Sequence, residues 1–271
     1  MYFKVTSNML WGAFFEDRVG FNAKTQRGKE PKGVLFAFIL IGLILASVSL
    51  EAKTDYFLPK SHPVHKKLDR LFANERPLLS LKSLQKAGFV KARPRKFTHL
   101  IVTRHPDIPG YIFKLYLDAQ RFPKGKEECF FWKQRIDGAE KLRRLIAKKG
   151  WKNIFKVPHK WIYATPKKHL DPDYPIKYTL LVEEDMDLVP DGENKKLWRR
   201  LSSRKKLRAL YSLLQTIGLR DCAKPDNIPF SRDGKIAFID TQTHGEEKVA
   251  YKKLFPFLSP TLKAYWKTLH Q

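Results

Sequence analysis

Apolar and polar positions alternate in two short runs, Thr98–Arg104 (THLIVTR) and Tyr111–Leu117 (YIFKLYL). The Pro/Gly-containing HPDIPG separates them, which predicts a β-hairpin. From Glu127 to about Lys149 the period lengthens. Trp132, Ile136, Ala139, Leu142 and Ile146 recur at helical spacing, and Gly150 is the expected stop. Val157–Ala164 and Tyr178–Val182 predict two further strands. After Glu183-Glu184-Asp185-Met186 comes a helical stretch, Asn194–Ile217, closed by Gly218. A short strand at Lys235–Ile239 and a helix near Pro260–Leu269 complete the pattern. Strands come first and helices later, so the expected class is α+β.

One stretch departs from any amphipathic pattern. Gly33–Leu50 (GVLFAFILIGLILASVSL) runs eighteen residues without a charge. As a helix it would be about 27 Å long, near the minimum for crossing a bilayer. Lys24, Arg27, Lys29 and Lys32 precede it, and Ala46, Ser47, Ser49 and Ala52 cluster at its end, the layout of a signal peptide or signal anchor. The expected organisation is a hydrophobic N-terminal helix within residues 1–52 and a tether over 53–79 with one short helix near Lys66–Ala73. Two parts of the body follow, 80–184 and 185–271. The chain is expected to be membrane-associated or exported. Basic residues flank the apolar stretch almost equally, so its orientation stays open.

Charge adds a partner class. Lys and Arg number 53 against 27 Asp and Glu, for a net charge of +26. Residues 1–52 carry six of the basic and four of the acidic residues, so the excess belongs to the body. Such a surface suits an anionic membrane or an anionic substrate. Nucleic acid is disfavoured, because no helix-turn-helix, zinc-finger or RNA-recognition signature occurs. Eight Lys/Arg and no acid fall between Lys195 and Arg208, a solvated helix face or one lying on anionic lipid. Two cysteines, Cys129 and Cys222, exclude a disulfide framework or a cysteine-rich zinc module.

The candidate chemistry lies in residues 217–240, IGLRDCAKPDNIPFSRDGKIAFID. A helix ends at Gly218, and Asp221, Lys224, Asp226 and Asn227 then crowd a short polar loop. A small hairpin turning at Asp233-Gly234 brings the chain back to Asp240. Two acids and a carboxamide gathered this way make an oxygen-rich site suited to Mg²⁺, and an acid at the loop tip could receive a hydroxyl proton.

This segment resembles the catalytic loop and metal-binding strand of the protein-kinase-like superfamily, His-Arg-Asp-x-Lys-Pro-x-Asn followed by Asp-Phe-Gly. Arg220-Asp221, Lys224-Pro225-Asp226-Asn227 and Asp240 stand in the corresponding places. The resemblance covers about residues 80–245 and is distantly similar to lipopolysaccharide-kinase-like enzymes. It implies a two-lobed fold with a truncated C-terminal lobe and a cleft for ATP and Mg²⁺. Asp221 would be the catalytic base and Lys224 would sit near the transferred phosphoryl group. Asn227 and Asp240 would hold the metal, and Lys114 would grip phosphates. For the acid partnering Lys114 the following helix offers Glu128, with Glu140 too far along. Tyr178–Met186, including Glu183 and Asp185, would be the fifth strand and hinge against an adenine. Departures accompany the match. Leu219 replaces the usual His, one extra residue lies between Asp221 and Lys224, Thr241-Gln242 replaces Phe-Gly, and only 31 residues follow Asp240. The implied activity is phosphoryl transfer to an anionic small molecule or lipid-linked sugar. The alternative is a catalytically inactive pseudokinase acting as an interaction module at an anionic surface.

Overall fold

The computed structural model describes residues 55–73, 75–94, 99–118, 120, 122, 128–166 and 176–271. All of them fall in one compact unit, Lys53–Gln271. The apolar stretch 33–50 lies outside the described residues. Among the described residues no helix is long and apolar enough to cross a membrane.

Elements follow in the order α1 (Pro63–Ala73), a 3₁₀ turn (Pro77–Leu79), α2 (Leu81–Lys86), β1 (Val90–Pro94), β2 (Ile101–Arg104) and β3 (Tyr111–Leu115). Next come α3 (Glu128–Lys148), β4 (Phe155–Lys156), β5 (Lys160–Ala164), β6 (Thr179–Glu184), α4 (Asp191–Arg200) and α5 (Arg204–Ile217). The chain closes with β7 (Ile236–Ala237), a 3₁₀ segment (Tyr251–Phe257) and α6 (Pro260–Leu269). The architecture is α+β. Five strands form an antiparallel sheet in the order β1-β2-β3-β6-β5, and β4 and β7 pair separately in parallel.

Strand period places the residues of the sheet. Phe113 and Leu115 of β3, Leu180 and Val182 of β6, and Tyr163 of β5 point to one face, onto Val64, Leu68 and Phe72 of α1 and Leu84 of α2. The alternate residues Ile162 and Leu181 point to the other face, against Trp132 and Ile136 of α3. Lys114, Lys160 and Glu183 share the parity of that second face, and all three are buried. A third apolar cluster joins the C-terminal half of α3 to α4, α5 and α6 around Trp198, Leu210, Phe238 and Trp266.

The described residues of the span expected as a tether, 53–79, pack onto the body. Leu58, Val64, Leu68 and Phe72 belong to the sheet's core. Arg76 donates from Nε and Nη2 to Asp118, each at 2.6 Å, fastening this segment to the chain beyond β3. The helix expected over Asn194–Ile217 is two helices. The Ser203 hydroxyl accepts from the Lys206 N–H and starts α5 afresh. Its end is fixed as expected, with Gly218 in the left-handed region at φ 66°. The hairpin, α3 and α6 match their predicted spans within a few residues, whereas α2, β1 and the 3₁₀ segments were not foreseen.

Candidate functional site: an ion-paired cleft between sheet and helices

Lys114 lies on β3 and Glu183 on β6, and their side chains meet at 2.9 Å. Lys160 on β5 approaches the second oxygen of Glu183 at 3.4 Å. The register explains the trio. Glu183 is directly opposite Lys160, and Lys114 is opposite Leu181, one diagonal step from Glu183. Both lysines also donate to the Ile239 carbonyl, Lys114 at 2.9 Å and Lys160 at 3.2 Å. Lys160 further reaches the Thr241 hydroxyl at 3.3 Å. Burial lowers the pKa of Lys160 to about 8, with Glu183 opposing the shift and Lys114 adding to it.

On the helical side, Arg135 of α3 forms an ion pair with Oδ1 of Asp240. The Arg135 carbonyl accepts the Thr241 hydroxyl at 2.6 Å, so helix and strand end are joined twice. Burial alone would raise the Asp240 pKa, but Arg135, Lys114 and Lys160 outweigh it and hold the carboxyl well below the usual carboxylate range. The cleft lined by Arg104, Lys114, Arg135, Glu183, Asn227 and Asp240 encloses about 160 Å³.

Lys114, Glu183, Asn227 and Asp240 are thus brought to one cleft, while Glu128, Asp185, Asp221 and Lys224 are not among its lining. The acid facing Lys114 is Glu183, not Glu128. Glu128 sits at the start of α3 and accepts from the Tyr178 and Thr179 backbone N–H groups at 3.1 and 3.2 Å. Asp185 is paired with Arg104 at 2.9 Å, and its own N–H donates to the Gly110 carbonyl. That hinge donor is therefore already committed. Asp221 accepts from Lys253 at 2.6 Å and lies 3.5 Å from Arg220. The Lys253 hydrogen bond, above all, lowers its pKa, which weakens it as a proton acceptor. Lys224 is half-buried in the loop, where its carbonyl accepts from the Asn227 and Ile228 N–H groups. The Asn227 carboxamide donates to the Asp221 carbonyl at 2.9 Å and braces the same loop. Cys129 and Cys222 are separate thiols.

Arg135 of the cleft lining and Lys160, buried beside Glu183, are the residues that sequence reasoning passed over. Their signals were readable. Arg135 falls inside the apolar stripe of α3 beside Trp132, Ile136 and Ala139, where a charge needs a partner. Lys160 shares strand parity with Ile162.

Mg²⁺ does not fit this arrangement. Magnesium needs hard oxygen donors with room for near-octahedral geometry. Here the Arg135 guanidinium holds Oδ1 of Asp240, and two ammonium groups stand nearby. Among the described residues no group of three or more His, Cys, Asp or Glu is poised to hold a metal. The cleft is also below the roughly 300 Å³ lower bound typical of pockets that enclose drug-sized ligands.

Glu128 yields a pH prediction. Desolvation raises its pKa from 4.5 to about 7, against the opposing hydrogen bonds from Thr179 and Tyr178. Between those values the folded chain binds more protons than the unfolded one, so this group's contribution falls as pH rises. Glu128→Gln should flatten that decline, gaining on the order of 3 kcal/mol relative to wild type at pH 8. Urea midpoints from pH 5 to 8 measure it, and parallel curves for the two proteins would refute the assignment.

No family model matches the chain, and no curated protein matches it. Among solved structures, one similar chain is that of Rv3197 from Mycobacterium tuberculosis in complex with erythromycin. It shows 14% sequence identity over 80% of this chain, with a TM-score of 0.29. This chain spans 57% of that one. At that TM-score the likeness carries no argument about fold or activity.

Proposed function

We propose that this chain is a catalytically inactive pseudokinase, a two-lobed kinase-like module with a truncated C-terminal lobe, acting as an interaction module at an anionic surface. The observation that carries this reading is the Arg135–Asp240 pair. The position that the kinase resemblance assigns to a metal-binding acid is neutralised by a buried guanidinium from the neighbouring helix. Asp221, assigned to proton abstraction, is likewise held by Lys253 and Arg220. Ion pairs that would have to break before chemistry could begin favour binding over turnover. The surface supports the partner class. Lys196, Arg199 and Arg200 of α4 and Arg204, Lys205 and Arg208 of α5 are all exposed. They offer closely spaced cations to lipid head groups or other anions.

Calorimetry of the full chain with ATP, with and without Mg²⁺, tests the reading, with Asp240→Ala alongside. The expected result is no Mg²⁺-dependent binding up to millimolar nucleotide in either protein. Saturable binding that requires Mg²⁺ and disappears in Asp240→Ala would overturn it in favour of a phosphotransferase acting on an anionic small molecule or lipid-linked sugar.

A further inference from the structure

A second recess lies where the C-terminal half of α3 meets β4, apart from the ion-paired cleft. Its cavity is about 510 Å³, within the range of ligand-sized pockets. Ile146 and Phe155, both buried, contribute its apolar floor. Arg144, Lys152, Lys156 and His159 supply the rim, and no Asp or Glu is part of the lining. Acids bound to lining residues are already engaged, Glu140 by Arg143, Asp233 by Lys156 at 3.4 Å and Glu184 by the His159 N–H at 2.8 Å. Arg144 and Lys152 are exposed, and among the described residues neither has an ion-pair partner.

We infer that this recess is a docking site for an acidic peptide segment of a partner protein, one carrying an apolar side chain flanked by carboxylates. Charge complementarity decides the sign of the occupant, because a groove of cations without a lining acid repels anything basic. A second copy of this chain, with a net charge of +26, is of the wrong overall sign. Shape narrows the choice further. The apolar floor is recessed behind a cationic rim, so a flat bilayer meets the rim and leaves the floor uncovered. An extended peptide can lower one aliphatic or aromatic side chain onto Ile146 and Phe155 while its carboxylates reach Arg144 and Lys152. His159, part of the lining, stacks on the Trp161 ring with centroids 5.8 Å apart. The inference is independent of the cleft, so the nucleotide experiment above leaves it untouched.

The test is fluorescence anisotropy of the full chain with a labelled peptide, Glu-Asp-Leu-Phe-Glu-Asp-Glu. A control peptide carries Ser in place of Leu and Phe. Arg144→Glu and Lys152→Glu remove the rim charge, and Ala147→Trp fills the recess from an exposed helix position without changing charge. Lys82→Glu, at an exposed position of α2, is the remote charge control. The expected result is saturable binding of the first peptide, weakened roughly tenfold or more by each of the three groove variants and little changed by Lys82→Glu. The serine peptide should bind at least about tenfold more weakly, since it leaves the apolar floor in water. Equal binding of the two peptides would overturn the inference. Equal loss in Lys82→Glu would do so as well, as it would mean delocalised attraction. Displacement of the peptide by phosphatidylglycerol vesicles or by millimolar inorganic phosphate, as effectively as by unlabelled peptide, would reassign the site to a membrane or a phosphate.

Discussion

Glu183→Ala is expected to destabilise the fold by about 3–5 kcal/mol, the range for removing one partner of a buried ion pair. Glu183 is 2% exposed and faces Lys114 and Lys160, which are 5% and 2% exposed. Without its carboxylate, two largely buried ammonium groups keep the Ile239 carbonyl and the Thr241 hydroxyl as acceptors, with Asp240 the remaining nearby anion. The unfolded chain keeps both lysines hydrated, so the whole penalty falls on the native state. Glu183→Gln should lose less, because its amide oxygen can still accept from one lysine. A triple variant, Lys114→Met with Lys160→Met and Glu183→Leu, should recover most of the loss, since apolar replacement of an entire buried cluster is commonly neutral or better. Urea unfolding gives all three values. A Glu183→Ala loss under about 1 kcal/mol would show that water reaches these lysines.

Gly138→Leu carries the next largest effect. An ideal Cβ on Gly138 would lie 2.1 Å from the Thr241 carbonyl oxygen and 2.9 Å from the His244 ring. The closer neighbour is backbone and cannot swing aside, so α3 has to move off the strand end that carries Asp240. About 3 kcal/mol or more is the expected cost for so large an intrusion into a packed contact. Gly138→Ala makes the sharper comparison. In an open helix interior that change gains up to about 1 kcal/mol from propensity, whereas here it should destabilise. A stabilising Gly138→Ala would mean that α3 does not approach Thr241 this closely.

Much of the fold was legible because its elements advertise themselves through period. The β2–β3 hairpin alternates cleanly about HPDIPG, and α3 shows its buried stripe over 21 residues. α6 opens with Ser259 capping the Leu262 N–H and Pro260 in its first turn. What escaped was short or locally unmarked. α2 has six residues and a single buried position, Leu84, too few for a period to register. The division between α4 and α5 hides inside an unbroken basic run, where Ser203 is the one residue that signals it. α1 was partly visible as a helix near Lys66–Ala73, but its role was not, because its burial depends on a sheet that is built later in the chain.

The candidate site divides in the same way. Asn227 and Asp240 were visible through the order and spacing of a single loop and hairpin, whereas Asp221, singled out with them, lies outside the cleft lining. Lys114 was visible as a lysine in an otherwise apolar strand. Its partner was not, because cross-strand neighbours are set by register, and nothing local to YIFKLYL says which residue of Tyr178–Met186 will stand beside it. The kinase resemblance drew attention to the helix and hence to Glu128. The sheet supplied Glu183 instead and left α3 free to present Arg135. A charge of that sign at that point of the helix inverts what the resemblance implies for Asp240.

The carbonyl of Ile239 accepts from a lysine on β3 and a lysine on β5, one residue before Asp240 meets α3. That single peptide unit works as a rivet between the antiparallel sheet and the helical core. Opening the cleft would strip two ammonium donors and a guanidinium of their partners together, so sheet and α3 are expected to stay closed on one another.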